Sequence, residues 1–203
     1  MSNGPVLVSV AVADDPERWE ASGFAVAGSL CQVGEVRVDL GAEGEGIVAW
    51  GLTGVEPGPL DGLDTHVDSV HSSTAGDHPN GTRALDHLVV TSHDPLRTRA
   101  VLEERGFEVR RTVEMGDRRY TFFRVGEAIL ELVGPLQADG DRPARLFGLA
   151  FTVADLDATA AHLGPLLGPV RDAIQPGRRI ATLQREAGLS VPVAFMTPGR
   201  GAI

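Results

Sequence analysis

The sequence predicts an α+β protein assembled from repeated βαβββ units, and three observations carry that prediction. An apolar segment leading into a helix that opens on Asp-Pro occurs at residues 6–16 and again at residues 85–95. Gly23-Phe24-Ala25-Val26 and Gly106-Phe107-Glu108-Val109 follow the two helices alike. A third apolar segment, residues 149–153, leads into a helix whose cap is Asp155. After each helix come three short strand-like segments broken by turn residues.

The first unit, degenerate and confined to residues 1–55, opens with a β-branched strand over 6–13. Asp14-Asp15 followed by Pro16 marks a helix start, with Asp as cap and Pro in the first turn. The helix around Trp19 stops at Gly23, a residue suited to a positive φ after a helix. Strands are expected over 24–27, 31–40 and 46–53. Residues 56–83 change to Pro, Gly, Asp, Ser and His and read as a connector. Its length predicts that part of it packs on a domain surface or lines a site.

Residues 84–203 are expected to form one domain of two units, 84–135 and 145–199. The first has a strand over 85–90, a helix over 94–105 and alternating strands that place Tyr120, Phe122 and Arg124 on one face, with Thr121, Phe123 and Val125 on the other. Gly116-Asp117 and Gly126-Glu127 supply its hairpin turns, and residues 129–135 close it. In the second, Leu156, Ala160, Leu163 and Leu167 fall at helical spacing, and strands are expected over 170–174, 179–183 and 191–196.

Composition narrows the function classes. The chain has 203 residues, is 42% hydrophobic and carries a net charge of -10 without a run of basic residues, which argues against a nucleic-acid partner. All 18 basic residues are Arg, so no lysine is present to form a Schiff base. The Arg-, Ala- and Gly-rich composition resembles that of bacterial proteins from GC-rich genomes. No apolar segment approaches the roughly 20 residues that span a bilayer, and the single Cys31 fits a reducing, cytoplasmic setting. Cys31 itself reads as a small apolar strand residue.

Two residues stand out chemically. His87 lies inside an apolar strand, and Glu131 lies among Ile129, Leu130, Leu132 and Val133, where an unpaired carboxylate is costly to bury. Each has a plain alternative: a packed core histidine, and an ion pair of Glu131 with Arg124. Arg178 and Arg179 after Pro176-Gly177 suit a carboxylate or phosphate ligand or an exposed hairpin, and Tyr120, Phe122, Phe123 and Phe195 suit either a site lining or the core.

Leu85-Asp86-His87-Leu88-Val89-Val90, Phe122-Phe123-Arg124-Val125-Gly126, Ile129-Leu130-Glu131-Leu132-Val133-Gly134-Pro135 and the stretch from Phe147 to Leu156 together resemble the vicinal-oxygen-chelate superfamily, which includes glyoxalase I, extradiol dioxygenases and bleomycin-resistance proteins. The resemblance covers about residues 84–199. It implies paired βαβββ units forming an eight-stranded mixed-sheet cup, with metal ligands from the first and last strands of each unit. By position His87 and Glu131 are two such ligands, and Gly148 and Ala194 stand where the other two belong. A divalent metal is thus implied, with Zn, Fe, Mn, Ni and Mg indistinguishable. A third ligand from His66, His71 or His78, completion of the shell by substrate oxygens, and a metal-free His87–Glu131 acid/base pair stand as alternatives. The resemblance implies a glyoxalase-like enzyme of isomerase, lyase or dioxygenase type on a small oxygenated molecule. His87 and Glu131 would be catalytic, and Arg124, Tyr120, Phe122, Arg178, Arg179 and Phe195 would contact substrate. A metal-free sequestration protein like the bleomycin-resistance proteins and a vestigial-site dimeric scaffold are the rivals. A homodimer is expected, because an odd unit leaves a sheet edge to be covered by its own connector or by a second chain.

Overall fold

The computed structural model describes residues 4–56, 58–69 and 76–199. β1 (Val6–Val12), α1 (Pro16–Ala21), β2 (Leu30–Val33), β3 (Val36–Leu40), β4 (Ile47–Thr53) and β5 (Thr65–Val67) come first, and their strands form a five-stranded sheet in the order β2-β3-β1-β4-β5. The next unit is β6 (Thr82–Thr91), α2 (Pro95–Glu104), β7 (Val109–Met115), β8 (Arg118–Val125) and β9 (Ala128–Pro135). The last is β10 (Arg145–Val153), α3 (Leu156–Leu163), β11 (Arg171–Asp172), β12 (Arg179–Thr182) and β13 (Val193–Met196). These two units share an eight-stranded sheet in the order β11-β12-β13-β10-β6-β9-β8-β7. Within each unit the first and last strands run parallel, and the antiparallel pair of β6 and β10 joins the units.

Local chemistry explains the helix starts. The Asp94 carboxylate accepts from the Arg97 amide at 3.0 Å, and Asp155 accepts from the Asp157 and Ala158 amides at 2.9 and 3.1 Å. The first helix departs from expectation, because the Asp15 side chain makes no capping bond. Asp14 instead turns inward, accepting from the Trp19 indole and the Ser190 amide. Gly23 does adopt the positive φ expected of it, +76°, and a Cβ there would meet Asn80 and His162.

The N-terminal strands are rearranged relative to the sequence reading. Residues 24–27 contribute only a single bridge, Ala27 to Leu30, and the stretch read as one strand over 31–40 is a hairpin turning at Gly34. Its second strand, β3, already occupies the position parallel to β1. β4 therefore takes β1's other edge and runs antiparallel to it, as β10 does beside β6, and β5 is parallel to β4 as β13 is to β10. The connector thus contributes a strand and the buried Leu60 and Leu63. On the opposite edge, β2 is covered by residues just before β6, with His78 Nε2 placed 3.0 Å from the Gln32 carbonyl. The connector therefore meets the small sheet at both sides, adding β5 as the strand beyond β4 and His78 against β2. In the last unit, Leu167 lies beyond α3, which ends at Gly164 (φ +53°).

Leu88, Val90, Phe123, Leu130, Leu132, Phe151 and Phe195 are buried on one face of the large sheet, and the small sheet packs there to enclose a single core. Two aromatic chains tie the layers. Phe151 lies 6.2 Å from Trp19 and 5.2 Å from Phe24, and Phe107 lies 6.0 Å from Trp50 and 6.3 Å from Phe123. Trp19→Ala, which empties a fully buried site where both layers meet, is expected to cost about 3–5 kcal/mol, read from the midpoint and slope of urea unfolding.

Candidate active site on the open face

The other face of the large sheet carries the polar groups, and a bulge determines which ones. Ala150 pairs with His87 and Phe151 with Leu85, so Asp86 is an extra residue in β6. Such an insertion lets two consecutive side chains reach one side of a strand. Asp86 Oδ2 lies 2.9 Å from His87 Nδ1, and His87 Nε2 faces Glu131 Oε2 at 3.4 Å. The parallel register of β6 and β9 sets Val89 beside Glu131, and the β8–β9 register sets Phe122 beside it on the other side.

Arg178 completes the group. Its Nη2 and Nη1 donate to Asp86 Oδ1 and Oδ2 at 2.5 and 3.2 Å, while its Nε donates to the Thr197 carbonyl at 2.8 Å. All four side chains are at least 85% shielded, with exposures of 11% for Asp86, 11% for His87, 15% for Glu131 and 10% for Arg178.

The two carboxylates are driven in opposite directions. Burial acts to raise Asp86, but the hydrogen bonds from His87 and Arg178 outweigh it and hold the carboxyl below its ordinary value. Burial pushes Glu131 up, the charge of Asp86 adds to that, and His87 only partly opposes it. An ionised Asp86 can only accept, so His87 carries a proton on Nδ1 and presents Nε2 to Glu131. Divergent carboxylates around one imidazole form an acid/base arrangement.

Glu131 borders a cavity of about 50 Å³ lined also by Arg111, Val113, Met115, Tyr120, Phe122, Ile174 and Gln175. Tyr120 and Phe122 therefore lie where the sequence reading put them. Phe195 does not: it is fully buried on the packed face against Phe24 and Phe151, because its neighbour Ala194 takes the open face of β13. Arg124 is no partner of Glu131, since it donates to the Gly126 carbonyl at the strand end. Arg179 turns outward and pairs bidentately with Asp157.

The donor set falls short of a metal centre. The β6–β10 register relates His87 to Gly148, and Glu131 to Ala194, by the pairings Val89–Gly148, Val89–Glu131 and Ala150–Ala194. A Cβ on Gly148 would sit 2.9 Å from the Pro192 carbonyl oxygen, so the backbone itself excludes a side chain there. His78 has both ring nitrogens engaged, with the Ala25 amide and the Gln32 carbonyl, and burial lowers its pKa. His66 is on β5 of the other sheet, and His71 lies outside the described residues. Among the described residues no group of three His, Cys, Asp or Glu side chains is placed to hold a metal. His87 and Glu131 alone do not suit a divalent ion that needs three or more protein ligands. Cys31 is buried with its thiol pushed up to about 12, the state of an inert core residue.

Sequence reasoning missed Asp86 and Arg178 as the orienting pair. Consecutive polar residues, Asp86-His87, inside an apolar strand were the available signal for the bulge.

No family model and no curated protein matches the sequence. Solved structures similar to it include methylmalonyl-CoA epimerase from Mycobacterium tuberculosis, 20% identical with a TM-score of 0.48, covering 59% of this chain and 90% of that one. A Streptomyces coelicolor methylmalonyl-CoA epimerase variant in complex with 2-nitronate-propionyl-CoA is 24% identical with a TM-score of 0.48, covering 60% and 97%. A hypothetical protein from Bacillus halodurans C-125 is 15% identical with a TM-score of 0.48, covering 59% and 96%. The strand order and the paired units described above are those that the resemblance to the vicinal-oxygen-chelate superfamily implies for residues 84–199.

Two outcomes follow from the electrostatics. The folded Glu131 carboxyl sits above its ordinary 4.5, so the folded chain keeps a proton that the unfolded chain has lost, and the charged form costs stability at higher pH. Glu131→Gln is therefore expected to be more stable than the parent near pH 8, the difference shrinking toward pH 4.5, as measured by urea unfolding across pH. Arg178→Met leaves Asp86 buried without its guanidinium and is expected to lose about 3–5 kcal/mol at neutral pH in the same assay.

Proposed function

We propose that the protein is a proton-transfer enzyme of isomerase type, acting without a metal on a small molecule whose acidic C–H lies next to a carbonyl. The observation that carries this reading is the Arg178–Asp86–His87–Glu131 chain, in which one carboxyl is held ionised and the other is raised around a single imidazole.

The chemistry runs as a balanced exchange of one proton at each end of an enolising unit. In the reactive form Glu131 is a carboxylate and His87 an imidazolium. Glu131 removes the C–H proton, the C–H electron pair moves into the new C=C bond, and His87 Nε2–H protonates the carbonyl oxygen. The products are an enol, a neutral Glu131 and a neutral His87; once the enol turns over in the site, Glu131 returns the proton to the other face of the same carbon while His87 regains the proton on oxygen, which gives the stereoisomer. Asp86 supports the imidazolium through Nδ1, and Arg178 keeps Asp86 ionised. His87 thus stabilises the oxygen charge that a metal would otherwise polarise.

Deuterium exchange from solvent, followed by proton NMR on a panel of 2-oxo acids, aryl ketones and methylmalonyl-CoA, tests the reading. Exchange at the carbon next to the carbonyl by the wild type is expected to fall about 10²–10⁴-fold in Glu131→Gln and in His87→Ala. Binding of panel members with no exchange, or exchange that survives Glu131→Gln, would instead make the open face a sequestration site.

A further inference from the structure

Arg111 occupies an unusual position for a surface arginine. Val109 pairs with Phe123 and Arg111 with Phe122, so Arg110 is the extra residue of a second bulge, in β7. Phe123 belongs to the packed face and Phe122 to the open one. Without the insertion Arg111 would share the side of Val109; with it, Arg111 joins the row Arg111, Phe122, Glu131, Val89 and Gly148, which crosses five adjacent strands.

Arg111 is exposed at the rim of the open face and keeps its donors free of protein partners among the described residues. Together with Glu131, Val113, Met115, Tyr120, Phe122 and Ile174 it lines the cavity, yet no hydrogen bond or ion pair holds its guanidinium among the described residues. The neighbouring strand arginine, Arg119, is paired with Glu114 at 2.8 Å. Arg111 therefore stands two strands from the acid/base pair, about 10 Å between backbones at the usual strand spacing, with the Phe122 ring between them.

We infer that Arg111 is a specificity-determining residue that binds an anionic group on the substrate, and that the substrate is an anion with a flat apolar body one ring long. The body lies on Phe122 between Tyr120, Val113 and Met115, its carboxylate or phosphate takes the fork of Arg111, and its carbonyl end reaches Glu131 and His87. A guanidinium suits such an anion because it offers two parallel donors. This inference rests on the proposed site but concerns binding, which is read independently of proton transfer.

The test uses the full chain with 4-acetylbenzoate and its neutral analogue 4-acetylbenzamide, each titrated into isotope-labelled protein and followed by amide shifts of β7, β8 and β9. The carboxylate is expected to bind about tenfold tighter than the amide. Arg111→Met should erase that preference while leaving amide binding unchanged, and Arg111→Lys should restore part of it. Equal binding of the two probes by the wild type, a preference that persists in Arg111→Met, or no binding of either at millimolar concentration overturns the inference. Repeating the titration with Glu131→Gln separates the two proposals: a preference retained there without solvent exchange in the wild type refutes proton transfer and keeps the anion site.

Discussion

The antiparallel pairing of β6 with β10 is the constraint on which the rest of the open face depends. It sets two βαβββ units about a pseudo-twofold axis, and the paired strands carry an inserted residue at matching places, Asp86 in β6 and Phe147 in β10, with a further one at Arg83. The same backbone device thus serves both halves with different side chains. In one half it delivers a carboxylate beside a histidine. In the other it delivers Phe147, half exposed, beside Gly148, whose missing side chain leaves room for the Pro192 carbonyl. A strand without the bulge would turn Asp86 and His87 to opposite faces and send one of them into the core.

From that asymmetry follows the electrostatics. Four ionisable side chains are gathered in one half of the face and none occupies the mirror positions Gly148 and Ala194. Arg178 crosses from the other unit to Asp86, so the charged group is stitched over the β6–β10 seam by a bidentate pair. Burying such a pair is expensive and offers little net stability. Its value lies in fixing which carboxylate stays ionised. With Asp86 committed to Arg178 and His87, the Nε2 of His87 is left facing Glu131, which borders the cavity.

Much of this was legible in the sequence where local rules act alone. The Asp94 and Asp155 caps, the turn glycines and the alternation of Tyr120 and Phe122 with Thr121 and Phe123 follow from short-range chemistry, and the structure keeps them. The equivalence of His87 with Gly148 and of Glu131 with Ala194, inferred from the repeat, agrees with the register. What failed was decided by long-range pairing. Phe195 belongs to the core because β13 lies beside β10 in a register that turns Ala194 outward, and residues 24–27 give only the Ala27–Leu30 bridge because β3 and β2 supply the strands on that side of β1. Neither neighbour choice leaves a mark within its own segment. The bulge at Arg110 is of the same kind, since a strand shows an inserted residue only against its partner, whereas the one at Asp86 left the trace of two consecutive polar residues in an apolar strand.

The five-stranded sheet gives these placements their rigidity. It covers the packed face of the large sheet, so that Trp19 and Phe24 back Phe151 in β10 while Trp50 and Phe107 back Phe123 in β8. Those strands carry the open-face residues one position away: Ala150 and Phe122 are the neighbours of Phe151 and Phe123. Close-packed interiors resist displacement, and a strand clamped on one face holds its alternate side chains on the other. The N-terminal layer thus backs the strands of the open face, with His66 and His78 in the small sheet and at its junction and the Asp86–His87–Glu131–Arg178 group on β6, β9 and the turn before β12.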